Sequence, residues 1–164
     1  MPTYDSSAGQ QDPTLAALFE RFSQADACWF GSTRPDGRPH LAPIWHVVHA
    51  GRIFVVTQRK SIRSANVRTN PAVSLSLADT SNALIVEGAA QPAPERRAEL
   101  QPLFQAKYNW DIATDADYDD VLEVIPRKVI AWGSHGEGRW LLESAATLFG
   151  VDEPAGNGDA AESR

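Results

Sequence analysis

The chain has 164 residues, of which 43% are hydrophobic and 22% charged, so we expect one globular domain with a sizeable core. Its net charge of -6 excludes a general nucleic-acid-binding protein, because affinity for a phosphate backbone needs many Lys and Arg contacts, and its single cysteine, Cys28, excludes an internal disulfide and a multi-cysteine metal site. No apolar run is long enough to span a membrane and the first residues lack the order of a signal peptide, so we expect a cytoplasmic protein without a membrane partner.

Both ends of the chain are polar. We therefore expect residues 1–11 and 144–164 to be disordered tails and residues 12–143 to form the folded domain. Asp12 and Pro13 supply an N-cap and a first helical residue. Apolar residues recur after them at helical spacing, which predicts an amphipathic helix over 13–24.

Short runs of strand-forming residues, separated by turns, follow this helix. Strands are predicted over 27–33, 39–49, 52–57, 72–77, 83–90, 128–132 and 139–142. Gly88 is expected at a β-bulge or at a close approach of two backbones, and Pro94 begins a second helix. The structure of residues 111–126 is left open, since residues 113–120 are acidic and polar and residues 121–125 fit a helix end or a strand. Six or seven short strands with a few flanking helices predict a mainly β, antiparallel barrel rather than a βαβ sheet.

Residues 57–71 carry the most chemistry in the chain. A short helix is predicted between the N-cap Ser61 and Asn70-Pro71, where proline forbids further helix. Thr57, Lys60 and Arg63 gather near its start, where free backbone N–H groups already favour an anion. The pattern indicates a phosphate site, and the alternative is a solvated, basic connecting helix.

Other kinds of site find little support in the sequence. His46 and His49 lie an odd number of residues apart on the predicted strand 39–49, so they would face opposite sides and not share a metal ion. No metal site is predicted. No acid-base dyad is visible, so no catalytic residue is assigned, and no Rossmann or P-loop glycine pattern occurs.

Several motifs together resemble the pyridoxamine 5′-phosphate oxidase-like family. They are the Arg-Pro-Asp-Gly-Arg-Pro turn at 34–39, the strand at Ala42–Trp45, the Arg63-x-x-Asn66 helix that ends in Asn70-Pro71, and Val86-Glu87-Gly88. The resemblance runs from about residue 15 to residue 142. It implies the flavin-binding split-barrel fold and a homodimer with two flavin or deazaflavin sites at the subunit interface.

The resemblance also implies roles for particular residues. The cofactor phosphate would be held by Thr57, Ser61 and Arg63, with Lys60 and Asn66 as helpers, and the ring would lie along Pro43, Ile44 and Trp45 beside Val56 and Thr57. Arg139 and Trp140 would reach toward the site from the partner subunit. The implied protein is a flavoprotein that uses F420 or FMN as its cofactor.

The implied activity is an oxidoreductase that transfers a hydride to a small unsaturated or quinone-like substrate. The alternative is a non-catalytic protein that binds or stores FMN, F420 or haem in the same fold. Ile62 stands where true pyridoxamine phosphate oxidases carry a second basic residue, and their C-terminal Arg-x-His pattern is absent, so we do not expect pyridoxamine phosphate as substrate. The turn at 34–39 and the helix look most like the deazaflavin-using branch. Arg34, Arg38, Arg59 and Arg68 could line a groove for the anionic tail of F420.

Overall fold

The computed structural model describes residues 12–143, so both predicted tails lie outside the described residues. Its α-helices are α1 (Pro13–Gln24), α2 (Ile62–Thr69) and α3 (Arg97–Tyr108), the last preceded by a 3₁₀ turn at Pro94–Arg96. Its strands are β1 (Cys28–Thr33), β2 (Pro39–Ile44), β3 (Val47–His49), β4 (Arg52–Thr57), β5 (Ala72–Ser76), β6 (Ala83–Pro92), β7 (Asp120–Trp132) and β8 (Gly138–Leu141). Among these residues, no helix is long and apolar enough to cross a membrane.

The strands form one antiparallel sheet in the order β2-β1-β5-β6-β7-β4-β3, and β8 pairs with β7 beside this path. The sheet curls into a half-barrel, which confirms the predicted split-barrel fold. Only Trp45 and His46 connect β2 to β3, although these strands lie at the two ends of the path. The chain therefore passes from one edge of the sheet to the other at this two-residue break.

Two hydrophobic cores hold the sheet in place. The first fills the inside of the curl and includes Phe30, Leu75 and the apolar face of α1. The second lies between α3 and β4 and contains Phe54, Val56 and Phe104. β4 is buried along both of its faces as a result, which fixes the position of Thr57 at its end.

The prediction of one continuous strand over 39–49 is wrong. The backbone leaves the sheet at Trp45–His46, where the His46 ring is fully buried and its Nε2 lies 2.8 Å from the carbonyl oxygen of Phe22. The amide of His46 donates to the Tyr108 hydroxyl at 3.0 Å, and its carbonyl accepts from Lys107 at 2.8 Å. These contacts with α1 and α3 replace the ladder hydrogen bonds that a continuous strand would make.

The undecided segment 111–126 contains a loop and then the start of β7. Residues 120–124 pair with β4 on one side, residues from Leu122 onward pair with β6 on the other, and the strand continues through Pro126 to Trp132. The predicted bulge is confirmed, since the register between β6 and β7 shifts between Glu87 and Gly88. A Cβ at Gly88 would lie 2.3 Å from the carbonyl oxygen of Ile125, so only glycine fits there.

Candidate functional site

Helix α2 begins directly beyond the end of β4. The Ser61 hydroxyl accepts from the amide of Ser64 at 3.2 Å, as predicted for an N-cap, and the helix ends at the C-cap Asn70, before Pro71. The Asn66 side chain, 1% exposed, donates to the Ser32 hydroxyl on β1 at 3.0 Å. This bond anchors the helix against the inner side of the sheet, so its N-terminal turn has a fixed position.

Three predicted phosphate-binding residues meet at this helix start. The Thr57 hydroxyl lies 3.3 Å from that of Ser61, and Nη1 of Arg63 donates to the Thr57 hydroxyl at 3.2 Å. Nη2 of Arg63 donates to the Pro43 carbonyl on β2, also at 3.2 Å. We call Thr57, Ser61 and Arg63 the anion cradle. It joins two hydroxyls, one guanidinium and the free amides of a helix N-terminus.

The Arg63 cation is buried without a counter-charge from residues 12–143. The residue is 8% exposed, its guanidinium lies 5.3 Å from the centre of the Phe30 ring, and its Nε has no hydrogen-bond partner in the described chain. Burial lowers the pKa of Arg63, and the groups that oppose this effect are the Cys28 thiol and the Tyr118 phenol rather than a carboxylate. A buried cation held only by neutral acceptors is suited to receive an anion.

The predicted helper Lys60 lies outside the cradle. Its side chain is exposed and lines a cleft with Arg59, Asp117 and Asp119. The amide of Arg59 donates to the Asp119 carboxylate at 2.8 Å, so this cleft holds both signs of charge. The three cradle residues contact one another without Lys60.

The residues predicted to contact the cofactor ring differ in how far they are buried. Pro43 is exposed and Ile44 is buried in the first core. Trp45 is 49% exposed and stacks on Tyr108, with ring centres 4.5 Å apart and planes within 1°. Tyr108 therefore covers one face of the Trp45 indole, the Trp110 ring lies edge-on to it at 5.9 Å between ring centres, and about half of the residue stays exposed. Val56 is 3% exposed and packs beneath α3, so its side chain belongs to the second core.

The Arg139-Trp140 pair is not brought to the cradle of its own chain. Both residues lie on β8, which pairs with Lys128–Ala131 of β7, whereas Thr57 pairs with Asp120 at the opposite end of β7. Nε1 of Trp140 donates to the Asp12 carboxylate at 2.7 Å, which joins β8 to the N-cap of α1. Arg139 is exposed.

Sequence reasoning missed one basic residue near the cradle, His40, and misjudged two others, Arg38 and Arg68. Burial, followed by the charges of Arg34 and Arg63, lowers the pKa of His40. Arg68, by contrast, makes a bidentate contact with the Asp120 carboxylate at 2.8 and 3.0 Å, and Arg38 pairs with Asp36 at 2.8 Å. Arg38 and Arg68 already have carboxylate partners, which weakens the prediction that they line a groove for an anionic tail.

The buried Asp120 shows what a neutralised site looks like in this fold. Burial alone would raise the pKa of Asp120, but hydrogen bonds from Arg68 and from the buried Ser64 hydroxyl outweigh it and lower that pKa. Both oxygens of the carboxylate are thus satisfied by the protein itself. Arg68 thus belongs to a structural ion pair, whereas Arg63, on the same helix, has no carboxylate partner in the described chain.

Known proteins with similar structures share this fold. An F420 reductase structure is 22% identical, with a TM-score of 0.57, and the alignment covers 67% of this chain and 94% of that one. General Stress Protein 26 from Bacillus anthracis strain Sterne is 19% identical, with a TM-score of 0.63 and coverage of 78% and 98%. A haem-binding protein from Mycobacterium smegmatis is 13% identical, with a TM-score of 0.63 and coverage of 85% and 61%.

Sequence comparisons identify the family. No curated protein matches the chain closely. The family model described as pyridoxamine 5′-phosphate oxidase matches residues 14–133, which include α1 from its second residue on, the anion cradle and all of β7. The chain therefore belongs to the pyridoxamine 5′-phosphate oxidase family.

Proposed function

We propose that the chain binds the phosphate of a flavin or deazaflavin, FMN or F420, in the anion cradle. The observation that carries this proposal is Arg63, a cation more than nine-tenths buried whose contacts in the described chain are all to neutral groups. The hydroxyls of Thr57 and Ser61 and the amides at the start of α2 supply further donors around it. These donors fit a phosphate in number and in charge.

The ring of the cofactor would lie against β2 and the break that follows it. Arg63 is hydrogen-bonded to the carbonyl of Pro43, so the cradle and the exposed edge of β2 are adjacent. Beyond Pro43, the exposed part of the Trp45 indole offers a flat apolar surface, and Tyr108 holds that indole in place from behind. A planar ring attached to the bound phosphate can therefore rest on β2.

The activity that we propose is an oxidoreductase acting on a small unsaturated or quinone-like substrate. A flavin or deazaflavin, when bound, supplies the hydride transfer, while the protein binds it, orients it and excludes water. We call the surface formed by Pro43 and the exposed part of Trp45 the ring wall. The cradle and the ring wall would perform these protein tasks, and they require no acid-base dyad. A similar structure described as an F420 reductase supports this reading, and one described as haem-binding supports the alternative of a binding or storage protein.

We further propose a homodimer formed through the outer face of the sheet. The pairing of neighbouring strands places one set of residues on this outer face, from β2 across to β8. The pairs are Leu41 with Gly31, Trp29 with Pro43 and with Ser76, Ser76 with Ile85, Ile85 with Ile130, Ile130 with Arg139, and Lys128 with Leu141. Directly opposed residues share a face. Leu41, Trp29 and Leu141 on this face are 63%, 40% and 59% exposed, which is much apolar surface for a monomer. Arg139 lies on the same face, where it could reach the site of a second copy.

A paired titration tests the cofactor proposal. The full chain is titrated with FMN and with F420 by fluorescence, alongside Arg63→Gln and a control, Arg127→Gln. The control removes an exposed charge on β7 whose side chain, within residues 12–143, donates to the Glu143 carbonyl at 3.4 Å. We expect one cofactor to bind the wild type and the control equally, and to bind Arg63→Gln about 100-fold more weakly. Equal binding to Arg63→Gln would refute the cradle.

The same samples test the activity. Reduced cofactor is mixed with menadione, a small quinone, and its oxidation is followed by absorbance with and without the protein. Catalysed oxidation that Arg63→Gln loses would support the oxidoreductase. Tight binding without turnover would favour the storage alternative, and binding of haem in place of both cofactors would overturn the flavin assignment.

Light scattering tests the dimer. We expect a particle of about twice the chain mass of 17.9 kDa, and we expect Leu41→Glu to convert it to a monomer without loss of circular dichroism, because a carboxylate cannot be buried in an apolar interface. A wild-type monomer, or a dimer that Leu41→Glu leaves intact, would refute the proposed interface.

A further inference from the structure

The loop between α3 and β7, residues 109–119, contacts both parts of the proposed site. Near the end of this α3–β7 loop, the Asp119 carboxylate accepts from the amide of Arg59 at 2.8 Å, and Arg59 lies in the turn between β4 and α2. Near its start, the ring of Trp110 lies edge-on to that of Trp45, with ring centres 5.9 Å apart. The loop therefore touches the turn that leads into the cradle and also the ring wall.

One arginine holds this loop in place. Nη2 of Arg97, at the start of α3, donates to three loop carbonyl oxygens, those of Ile112 at 2.6 Å, Asp115 at 3.2 Å and Tyr118 at 2.6 Å. Of the loop side chains only that of Ile112 is buried, so packing contributes little to the order of the loop. Like charges also work against its folding, since the loop carries the carboxylates of Asp111, Asp115, Asp117 and Asp119. The guanidinium supplies the hydrogen bonds and the positive charge that offset these effects.

The carbonyls that Arg97 holds adjoin the two points at which the loop meets the site. The Tyr118 carbonyl belongs to the residue directly before Asp119. The Asp115 carbonyl belongs to the residue whose carboxylate accepts from Nε1 of Trp110 at 2.9 Å. Loss of the guanidinium would therefore release the Asp119 carboxylate and the Trp110 ring together.

The contact made by Asp119 bears on the cradle through the turn before α2. The amide of Ser61 donates to the Gln58 carbonyl at 2.9 Å, which closes this turn, and Asp119 holds the amide of Arg59 inside it. Thr57 precedes the turn and Ser61 ends it, and their hydroxyls lie 3.3 Å apart. The loop therefore helps to fix the turn that sets the spacing of two of the three cradle residues.

We propose that Arg97 is a positioning residue for the cofactor, which holds the α3–β7 loop and through it sets the geometry of the cradle and of the ring wall. The inference rests on the proposed function and adds to it a residue that acts on affinity through Asp119 and Trp110 rather than by contact with the cofactor. Coupling between two equilibria is reciprocal. A loop that raises affinity by a given factor must itself be stabilised by the bound ligand by the same factor.

Titrations of the full chain with FMN, F420 and inorganic phosphate test the role of Arg97. We expect Arg97→Met to bind whichever cofactor the wild type binds about tenfold more weakly, and phosphate about fivefold more weakly, because phosphate uses only the cradle. The matched control is Arg96→Met, which removes a neighbouring charge that pairs with Glu99 at 3.2 Å and keeps an apolar group over the Phe54 ring. It should stay within about twofold of the wild type. Equal affinity of Arg97→Met and the wild type would overturn the inference.

Two substitutions of the exposed Asp119 test the link to the cradle. Asp119→Asn keeps the oxygen that accepts from the Arg59 amide, whereas Asp119→Ala removes it. We expect Asp119→Ala to bind phosphate about fivefold more weakly. Asp119→Asn should bind it at least as tightly as the wild type, because it also removes a negative charge. Tighter binding by both variants would show that Asp119 acts only by its charge, and equal weakening of both would refute the role of the hydrogen bond.

Amide hydrogen exchange separates positioning from a purely structural role. We expect the bound cofactor to slow exchange of residues 110–119 in the wild type and to have no such effect in Asp119→Ala. Loop exchange that the cofactor leaves unchanged in the wild type would show that Arg97 only stabilises the loop, and would overturn the inference. The proposed function fails separately. Binding of none of the three ligands, or binding that Arg63→Gln leaves unchanged, would overturn the cradle itself.

Discussion

Replacing Arg63 by methionine tests separately how much the cation contributes to ligand affinity and how much it contributes to the stability of the fold. The substitution keeps much of the side-chain volume over the Phe30 ring and removes the charge, two hydrogen bonds to neutral oxygens and the unpartnered Nε. The Thr57 hydroxyl keeps its contact with Ser61, so the carbonyl of Pro43 is the main group that loses a donor. The variant therefore tests whether the cation is there for the fold or for a ligand.

The structure predicts that Arg63→Met has a large effect on ligand affinity and a small effect on the free energy of unfolding. Two charge-assisted hydrogen bonds to a phosphate are together worth about 3 kcal/mol, which corresponds to a loss of affinity of roughly 100-fold. For the ligand-free protein, the two lost hydrogen bonds cost about 1 kcal/mol each, and release from burying an uncompensated charge returns a similar amount. We expect the free energy of unfolding of Arg63→Met to stay within about 1 kcal/mol of the wild type.

Arg68→Met is the matched control on the same helix. It leaves the Asp120 carboxylate, 3% exposed, without the guanidinium that contacts both of its oxygens, and should lower the free energy of unfolding by about 2 kcal/mol or more. Urea denaturation of the three ligand-free proteins measures both values, and cofactor titration measures affinity. A destabilisation of Arg63→Met as large as that of Arg68→Met would show that Arg63 is a structural residue and refute the reasoning.

Two further predictions concern the frame around the site. Gly88→Ala should lower the free energy of unfolding by about 2 kcal/mol or more, because the new methyl group would overlap the Ile125 carbonyl. The control Gly37→Ala, at a turn with open space, should lower it by about 1 kcal/mol through the positive φ of that residue. Equal losses of stability for the two variants in denaturant titrations would contradict the bulge argument. Burial lowers the pKa of His46 to about 4. As the pH falls below 6.5, the imidazole therefore takes up a proton in the unfolded chain but stays neutral in the folded protein. The free energy of unfolding should drop by about 3 kcal/mol between pH 6.5 and pH 4 as a result. Denaturation over this range should show a weaker pH dependence for His46→Gln, and an unchanged slope would count against a neutral, buried imidazole.

The anion cradle was predictable because its parts are close in sequence. Thr57, Ser61 and Arg63 lie within one strand end and one helical turn, and the N-cap at Ser61 fixes their relative positions by local geometry. Strand periodicity and turn residues similarly indicated most of the sheet. The burial of Arg63, which argues against a solvated basic helix, depends on how α2 packs over Phe30 and could not be predicted from the segment alone.

The remaining features depend on contacts between distant segments. The sequence 39–49 has a strand-like pattern throughout, and only the Lys107 and Tyr108 side chains, from α3, and the Phe22 carbonyl, from α1, explain why it breaks at His46. The position of His40 likewise follows from its register with Ser32 across a five-residue turn.

The cradle and the ring wall have different physical origins within one fold. α2 and the end of β4 make the cradle by local capping, so its donors exist before any ligand arrives. The wall at Trp45 exists because α3 holds the break between β2 and β3, through the Tyr108 ring and hydroxyl. If a cofactor binds as proposed, loss of that hydroxyl should therefore disturb its ring more than its phosphate. A change in the cradle should instead weaken the hold on the phosphate, since it removes the Arg63 charge while Trp45 keeps its contact with Tyr108.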